Sequence, residues 1–259
     1  HLKLFDNKAN TGITTIYKQE LLDKLFVKAL SKKELNNDHI KELVDLGADV
    51  NANISDNNFP LMVATDNNNL ELVKLFIKKK ANVNKSNNNN ETALLTLLSY
   101  KDYNIEILEL LIANGADITK TSRAAQQNPL NLIIKMGDIK ALKIMLKGKD
   151  LNSIEFSNTD LLRLAVNYNN IEIVKFLIEN GVNVNVSNNG QETPLIVAVK
   201  KNNKEIIELL LKNGANVNKS YKYNETALTF AINNSNKEVA LLLLEYGAEI
   251  DLISDQDVN

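Results

Sequence analysis

The stretch TPLIVAVKKNNKEIIELLLKNGANVN, residues 193–218, contains two apolar segments separated by a polar turn. Thr193 followed by Pro194 predicts a helix N-cap with proline at the first helical position, where the missing N–H costs no hydrogen bond. The second apolar segment begins after Asn203 and ends before Gly214, a residue suited to the left-handed conformation that terminates helices. The stretch therefore predicts two short helices followed by a loop.

The pattern recurs along the whole chain, and its copies start 33 to 35 residues apart. Seven segments mark the ends of the copies: GADVN (47–51), KANVN (80–84), GADIT (115–119), GKDLN (148–152), GVNVN (181–185), GANVN (214–218) and GAEID (247–251). All three prolines, at positions 60, 129 and 194, occupy the same helix-start position. Because a helix pair of this size cannot bury its apolar face alone, the repeat predicts units that stack on their neighbours.

These residues resemble the ankyrin repeat family, whose T-P-L-H-x-A signature matches TPLIVA at 193–198. The resemblance implies an all-α solenoid of about seven stacked helix-turn-helix units with projecting β-hairpin loops. It also implies that partners bind on the concave face formed by the loop tips and the first helices. We predict an N-terminal segment over residues 1–20 and a repeat array over 21–259, with repeats ending near residues 51, 84, 119, 152, 185, 218 and 251.

The chain departs from the family pattern at several points. The histidine of the signature is absent from all six copies that carry the motif, where Met62, Leu95, Asn131, Arg163, Ile196 and Thr229 stand instead. Lys80 replaces the helix-ending glycine, at an expected cost of about 1 kcal/mol if the left-handed geometry is kept. Repeat three has two extra residues between its helices, around Tyr100–Tyr103. Repeat one has no signature, and its first helix, over about 18–30, is interpreted as an N-terminal cap.

Composition excludes several classes of function. The chain of 259 residues has no cysteine, two histidines and a net charge of -2, which excludes thiolate and multi-histidine metal sites and argues against a nucleic-acid partner. No apolar run has the length of a membrane span. In the absence of any catalytic or phosphate-binding motif, we predict neither enzyme activity nor a cofactor.

The expected location is the cytoplasm, and the alternative is delivery into a host cell. The 41 asparagines are interpreted as a coding bias of an AT-rich genome.

Aromatic residues concentrate at first-helix ends and loop tips, where tyrosine and methionine can form hot spots for protein binding. Stacking of the repeats predicts that Tyr100, Met136 and Tyr168 are neighbours. The alternative for the rings is that they cap their own helices or pack on the next hairpin. The alternative for the lysine pair near residue 200 is that it serves solubility rather than an acidic partner. The predicted partner-binding residues are Tyr100, Tyr103, Lys135, Met136, Phe156, Asn167, Tyr168, Lys200, Lys201 and Tyr223.

The pattern as a whole favours a non-enzymatic scaffold that binds another protein. One alternative is the targeting module of a larger enzyme or effector, and another is a structural or self-associating segment. The last repeat places Leu241 where earlier second helices carry a charge, although a terminal repeat should be polar on its outer face. We expect Leu241 to be covered, either by residues 252–259 or by further repeats beyond residue 259.

Overall fold

The computed structural model describes residues 12–54, 58–123, 126–151, 161–187, 192–222 and 225–250, with side chains from Ile16 onward. These ranges contain fourteen α-helices and no β-strand: α1 Gly12–Leu30, α2 Asn37–Asp45, α3 Pro60–Asp66, α4 Leu70–Lys78, α5 Ala93–Leu97, α6 Ile105–Ala113, α7 Pro129–Met136, α8 Ile139–Leu146, α9 Leu161–Asn167, α10 Ile171–Glu179, α11 Pro194–Lys200, α12 Lys204–Lys212, α13 Ala227–Asn233 and α14 Lys237–Glu245. The chain divides into two compact units, His1–Pro129 and Leu130–Asn259.

The first unit is built from the helix pairs α1–α2, α3–α4 and α5–α6. The first helices α3 and α5 pack together, and the second helices α2, α4 and α6 form a parallel row beside them. Phe26 of α1 and Phe76 of α4 meet edge to face, with ring centroids 6.0 Å apart, and both side chains are fully buried. The core therefore lies between neighbouring helix pairs, as expected for units that cannot bury their apolar faces alone.

The second unit repeats this arrangement with the pairs α9–α10, α11–α12 and α13–α14. The first helices α9, α11 and α13 pack in sequence, and α10 packs on α12. Helix α11 is enclosed on all sides, since every residue from Pro194 to Val199 is buried. A first helix that carries apolar side chains around its whole circumference is what burial between two neighbours requires.

Asparagine side chains join successive repeats within each unit. Asn185 is a clear example, because its Nδ2 donates to the Gly214 carbonyl at 2.9 Å while its Oδ1 accepts the Asn216 N–H at 2.6 Å. We call this pair of bonds the asparagine clamp. Equivalent clamps are made by Asn51 on Lys80 and Asn82, by Asn84 on Gly115 and Asp117, and by Asn218 on Gly247 and Glu249. The clamps fix the ends of the second helices α4, α6, α12 and α14 to the preceding repeat.

Helix α1 closes the N-terminal end of the first unit with the same bonds. Gln19 Nε2 donates to the Gly47 carbonyl at 3.0 Å, and Asp23 Oδ1 accepts the Asp49 N–H at 3.0 Å. Gln19 and Asp23 together thus make the two hydrogen bonds that a single asparagine makes in the clamps. This agrees with the interpretation of α1 as a cap. The helix begins at Gly12, six residues before the expected start at Lys18.

The loops between repeats are closed without strands in the described residues. Backbone hydrogen bonds close several of the described loops, such as Asn87 N–H to Glu91 O at 3.0 Å and Tyr221 N–H to Glu225 O at 2.7 Å. At the base of the loop, an Asx turn such as Asn84 N–H to Asn82 Oδ1 at 3.0 Å shapes the chain. The loops therefore have the path of a hairpin but are too short for a β-ladder.

The last repeat exposes apolar side chains at positions that earlier repeats bury. Ile232 of α13 is 45% exposed, whereas its counterparts Ile134, Val166 and Val199 in the same unit are buried. Leu241 is 51% exposed. Residues 252–259, which we expected to cover it, lie outside the described part of the chain, so both proposed coverings stay predictions.

Lys80 adopts the left-handed conformation, with φ of 68°, as its place in the repeat predicts. Replacing Lys80 by glycine should stabilise the protein by about 0.5 to 1 kcal/mol, because relief of steric strain exceeds the entropy that glycine adds to the unfolded chain. Urea denaturation of the two proteins measures this difference. Lys79→Gly is the matched control, since Lys79 has φ of -88°, and equal effects of the two substitutions would contradict the assignment.

Candidate functional site

We define the first-helix face as the surface formed by the exposed ends of the first helices and by the loop tips. In the first unit this face contains a cleft of about 290 Å³, which we call the tip cleft. Asn58, Asn87, Asn89 and Glu91 line it from the loops, and Met62, Val63, Asp66 and Thr96 line it from α3 and α5. The cleft offers amide and carboxylate groups around a small apolar floor.

A second cavity of about 280 Å³ lies at the other end of α3 and α5, and we call it the insertion pocket. Helix α5 ends at Leu97, so the two extra residues of repeat three lengthen the turn that leads to Asn104. The pocket is lined by Thr65, Asp66, Asn68, Leu97, Tyr100, Lys101, Asp102 and Tyr103. Asp66 borders both cavities, which makes this carboxylate the centre of the first-helix face in the first unit.

Tyr100 and Asp66 are joined by a hydrogen bond that links repeats two and three. The Tyr100 hydroxyl donates to Asp66 Oδ1 at 2.7 Å, although the tyrosine side chain is 49% exposed. This hydrogen bond to the carboxylate, together with the carboxylate's negative charge, raises the pKa of Tyr100 above its ordinary value. Ionisation would remove the shared proton and place two negative charges side by side.

Spectrophotometric titration should therefore find the pKa of Tyr100 raised, and Asp66→Asn should return that pKa towards its ordinary value. Because the pKa of Tyr100 in the folded protein lies above that in the unfolded chain, the contact stabilises the fold at neutral pH. That contribution is lost as the pH rises through the folded-state pKa. Tyr100→Phe, which removes the titrating group, identifies the signal, and an unchanged titration in Asp66→Asn would contradict the contact.

The first-helix face of the second unit carries a cluster around Lys200. The Lys200 ammonium lies 3.8 Å from the centroid of the Phe230 ring and 5.4 Å from that of Tyr221, and it forms an ion pair with Glu192. Cation–π contact and ion pairing together hold this lysine against its own repeat and the next one. Both lysines of the predicted pair are exposed, and Lys201 follows the last residue of α11.

The structure brings some of the predicted residues together and leaves others apart. Tyr100 and Tyr103 share the insertion pocket. Lys135 and Met136 end α7, Asn167 ends α9, and Tyr168 follows α9 with 39% of its surface exposed. Tyr100 belongs to the first unit and the other two members of the expected row belong to the second, so the alignment of Tyr100, Met136 and Tyr168 stays a prediction. Phe156 and Tyr223 lie outside the described residues.

Sequence reasoning missed Asp66, Glu91 and Phe230. Asp66 occupies the first-helix position that Lys200 holds in repeat six, six residues after the helix-start proline. Comparing this position across the repeats would have marked Asp66 as a candidate. Glu91 and Phe230 carried no equivalent signal, because their contacts are set by the fold of the loops.

A family model for ankyrin repeats matches three overlapping spans, residues 26–122, 97–188 and 162–254. The chain belongs to the ankyrin repeat family. Ankyrin repeats are an interaction fold that generally binds other proteins. This ankyrin chain keeps the stacked helix pairs although the signature histidine is absent from every copy. In the last repeat Thr229 supplies polar contacts at that position, since its hydroxyl accepts the Thr226 N–H at 2.8 Å.

Relatives of this ankyrin chain include viral and bacterial proteins. An ankyrin repeat protein of Fowlpox virus (strain NVSL) is 29% identical over 185 residues, covering 68% of this chain and 54% of the relative. One of Acanthamoeba polyphaga mimivirus is 32% identical over 143 residues, covering 55% and 41%. The chain thus spans about half the length of these curated relatives. An ankyrin repeat domain from Acinetobacter baumannii AYE matches with a TM-score of 0.65 and 32% identity, covering 73% of this chain and 98% of that one.

Two other kinds of site are absent from the described residues. No helix there is both long and apolar enough to cross a membrane. Within the same ranges, no group of three or more histidine, aspartate or glutamate residues is arranged to hold a metal ion.

Proposed function

We propose that this ankyrin chain is a non-enzymatic scaffold that binds another protein through its first-helix face. The observation that carries the proposal is the pair of adjoining cavities that meet at Asp66 in the first unit. Cavities with a few polar groups around an apolar floor are where partners and ligands dock. Tyr100 and Tyr103 on the same face supply the large amphipathic side chains that dominate binding energies.

The second helices present a different surface, because ion pairs between neighbouring repeats occupy it. Lys74 pairs with Glu106 at 3.7 Å, and Lys175 pairs with Glu205 at 3.4 Å. Exposed pairs of this kind contribute little to stability, at most about 1 kcal/mol each. They do leave the second-helix side solvated and charged, which disfavours it as an interface core.

Recognition would use a surface that is already formed before the partner arrives. Hydrogen bonds tie neighbouring loop tips together, including Asn90 Nδ2 to the Thr121 carbonyl at 2.6 Å and Arg123 N–H to the Asn89 carbonyl at 2.7 Å. Little ordering entropy therefore opposes association. A standard interface would bury about 1,200 to 2,000 Å² in total.

Affinity capture from the natural host, followed by binding measurements with the identified partner, tests this proposal. The triple variant Tyr100→Ala, Met136→Ala and Tyr168→Ala should weaken binding at least about tenfold, the loss of one or two hot-spot residues. The matched control is Lys74→Ala, Glu109→Ala and Glu179→Ala on the second helices, which should bind normally. If the control weakens binding more than the triple variant, the interface lies on the second-helix side and the proposal fails.

Two alternatives have distinct tests. The chain spans about half of its viral relatives, so it could serve as the targeting module of a larger enzyme or effector. Enzyme assays of the full-length protein, compared with the repeat array alone, test this alternative.

Self-association is favoured by the exposed apolar side chains of Ile232, Leu241 and Leu244 in the last repeat. Light scattering at several concentrations tests it, and a monomer at all concentrations would count against it.

The remaining parts of the proposal follow from the sequence. We propose a protein partner rather than nucleic acid, in keeping with the near-neutral charge of the chain. We propose that the protein acts in the cytoplasm. The alternative is that it is delivered into a host cell. We also propose that further repeats beyond residue 259 pack on the last helix pair.

A further inference from the structure

The insertion pocket is particular to repeat three, since it depends on the lengthened turn between α5 and α6. In repeat two the chain passes from Asp66 to the N-cap Asn69 through two residues. In repeat three it needs the six residues Leu98–Tyr103 between α5 and the N-cap Asn104. A feature that one repeat adds to a common scaffold is suited to specificity rather than to stability, because the other repeats pack without it.

The walls of the pocket combine aromatic rings with carboxylates. Tyr100 and Tyr103 line it together with Asp66 and Asp102, and Lys101 is the one basic residue among the lining side chains. Two carboxylates against one ammonium leave the lining with a net charge of -1. Aromatic faces and carboxylates both attract cations, the former through the ring quadrupole and the latter by charge.

The chain uses the same chemistry on its own lysines. Lys200 lies over Phe230 and pairs with Glu192, as described above. In the first unit, Lys85 Nζ lies 4.2 Å from the centroid of the Phe59 ring. In both cases a basic side chain of one repeat fills an aromatic site on a neighbouring repeat.

We propose that the insertion pocket receives an arginine or lysine side chain of the bound partner, held by Asp66 and Asp102 between Tyr100 and Tyr103. The Tyr100 hydroxyl occupies one lone pair of Asp66 Oδ1 and leaves the other carboxylate oxygen for the incoming donor. The partner segment that docks there is therefore basic. This inference rests on the proposed function, because it names the side chain that the first-helix face recognises.

The test uses the full chain and small probes, so it does not require the natural partner. N-acetyl-arginine amide is titrated into isotopically labelled protein while amide and tyrosine resonances are recorded by NMR. N-acetyl-citrulline amide, which has nearly the same shape and no charge, is the matched probe. We expect saturable shifts over residues 65–68 and 97–103 with arginine, and about fivefold weaker binding of citrulline, the upper end of the range for an exposed charge pair.

Three variants separate the charge from the fold. Asp66→Asn keeps an acceptor for Tyr100 and removes the charge, so it should weaken the arginine probe about fivefold. Tyr100→Phe keeps the ring and releases Asp66, so binding should be retained or improved. Asp45→Asn removes an exposed carboxylate that pairs with Lys79 and should leave binding unchanged.

Three outcomes of the probe experiment would overturn the inference. Equal binding of arginine and citrulline, shifts that lie outside the pocket, or equal weakening by Asp66→Asn and Asp45→Asn would show that no basic side chain is recognised there. If the probes fail while the captured partner still depends on Tyr100, Met136 and Tyr168, only this inference is wrong. If arginine binds but no partner uses the first-helix face, the proposed function is wrong instead.

Discussion

Replacing Leu195 by alanine is expected to lower the free energy of unfolding by about 2 to 5 kcal/mol, the range for a large-to-small substitution in a packed core. Leu195 is 1% exposed in α11, the helix that lies between α9 and α13. The lost methyl groups would leave a cavity that two neighbouring repeats line and that neither can fill. Urea denaturation followed by circular dichroism measures the loss.

Leu241→Ala is the matched control for this prediction, because it removes the same atoms from a side chain that is half exposed. Its effect should stay within about 0.5 kcal/mol, the usual range for a surface position. Similar losses in the two variants would mean that Leu241 is covered in solution or that Leu195 is not part of the core. The triple variant of Tyr100, Met136 and Tyr168 should be measured in the same series. A loss of unfolding free energy as large as that of Leu195→Ala would show that these three residues belong to the core.

Breaking one asparagine clamp should have the next largest effect. Asn185→Ala removes both bonds between repeats five and six, leaving the Gly214 carbonyl and the Asn216 N–H to water. We expect a loss of about 1 to 2 kcal/mol, the net contribution of two hydrogen bonds at a partly exposed site. The amide of Asn216 should also exchange its hydrogen faster, which native-state hydrogen exchange measures residue by residue.

Asn213→Ala is the control for the clamp. Asn213 Nδ2 donates at 2.8 Å to the Leu209 carbonyl of its own helix, so its loss affects one bond within a repeat and none between repeats. The effect of Asn213→Ala should be less than half that of Asn185→Ala. If the two are equal, the clamp adds nothing beyond an ordinary side-chain hydrogen bond.

The helix pairs were predictable from sequence because local signals mark both of their ends. Pro60, Pro129 and Pro194 all stand at the first residue of a helix, as the N-cap pattern predicts. The period also placed Lys80 at the position of the helix-ending glycine, and the structure keeps the left-handed conformation there. The start of α1 was misjudged because repeat one lacks the signature that marks the other first helices.

The asparagine network was not predictable in the same way. The excess of asparagine was attributed to coding bias, yet the structure gives Asn51, Asn84, Asn185 and Asn218 a specific role between repeats. Each clamp joins residues that are about one period apart, so neighbouring residues give no sign of it. The recurrence of asparagine at the last position of five of the seven repeats was the available signal.

The candidate site was predictable only in part. The unusual turn of repeat three pointed to Tyr100 and Tyr103, which do line one pocket. The cation–π contact that engages Lys200 depends on how α11 and α13 approach each other, which a repeat pattern does not specify. Asp66 was overlooked because a charged residue at a helix end is ordinarily a solvated one.

The central claim is that the chain binds a partner with its first-helix face, and hydrogen-exchange mass spectrometry of the complex with the captured partner tests it most directly. Slower exchange on binding is predicted over residues 58–67 and 87–103 of the first unit and over 161–170 and 192–201 of the second. The second helices α4 and α10 should be unchanged. Protection confined to α4, α6, α10 and α12 would contradict the claim.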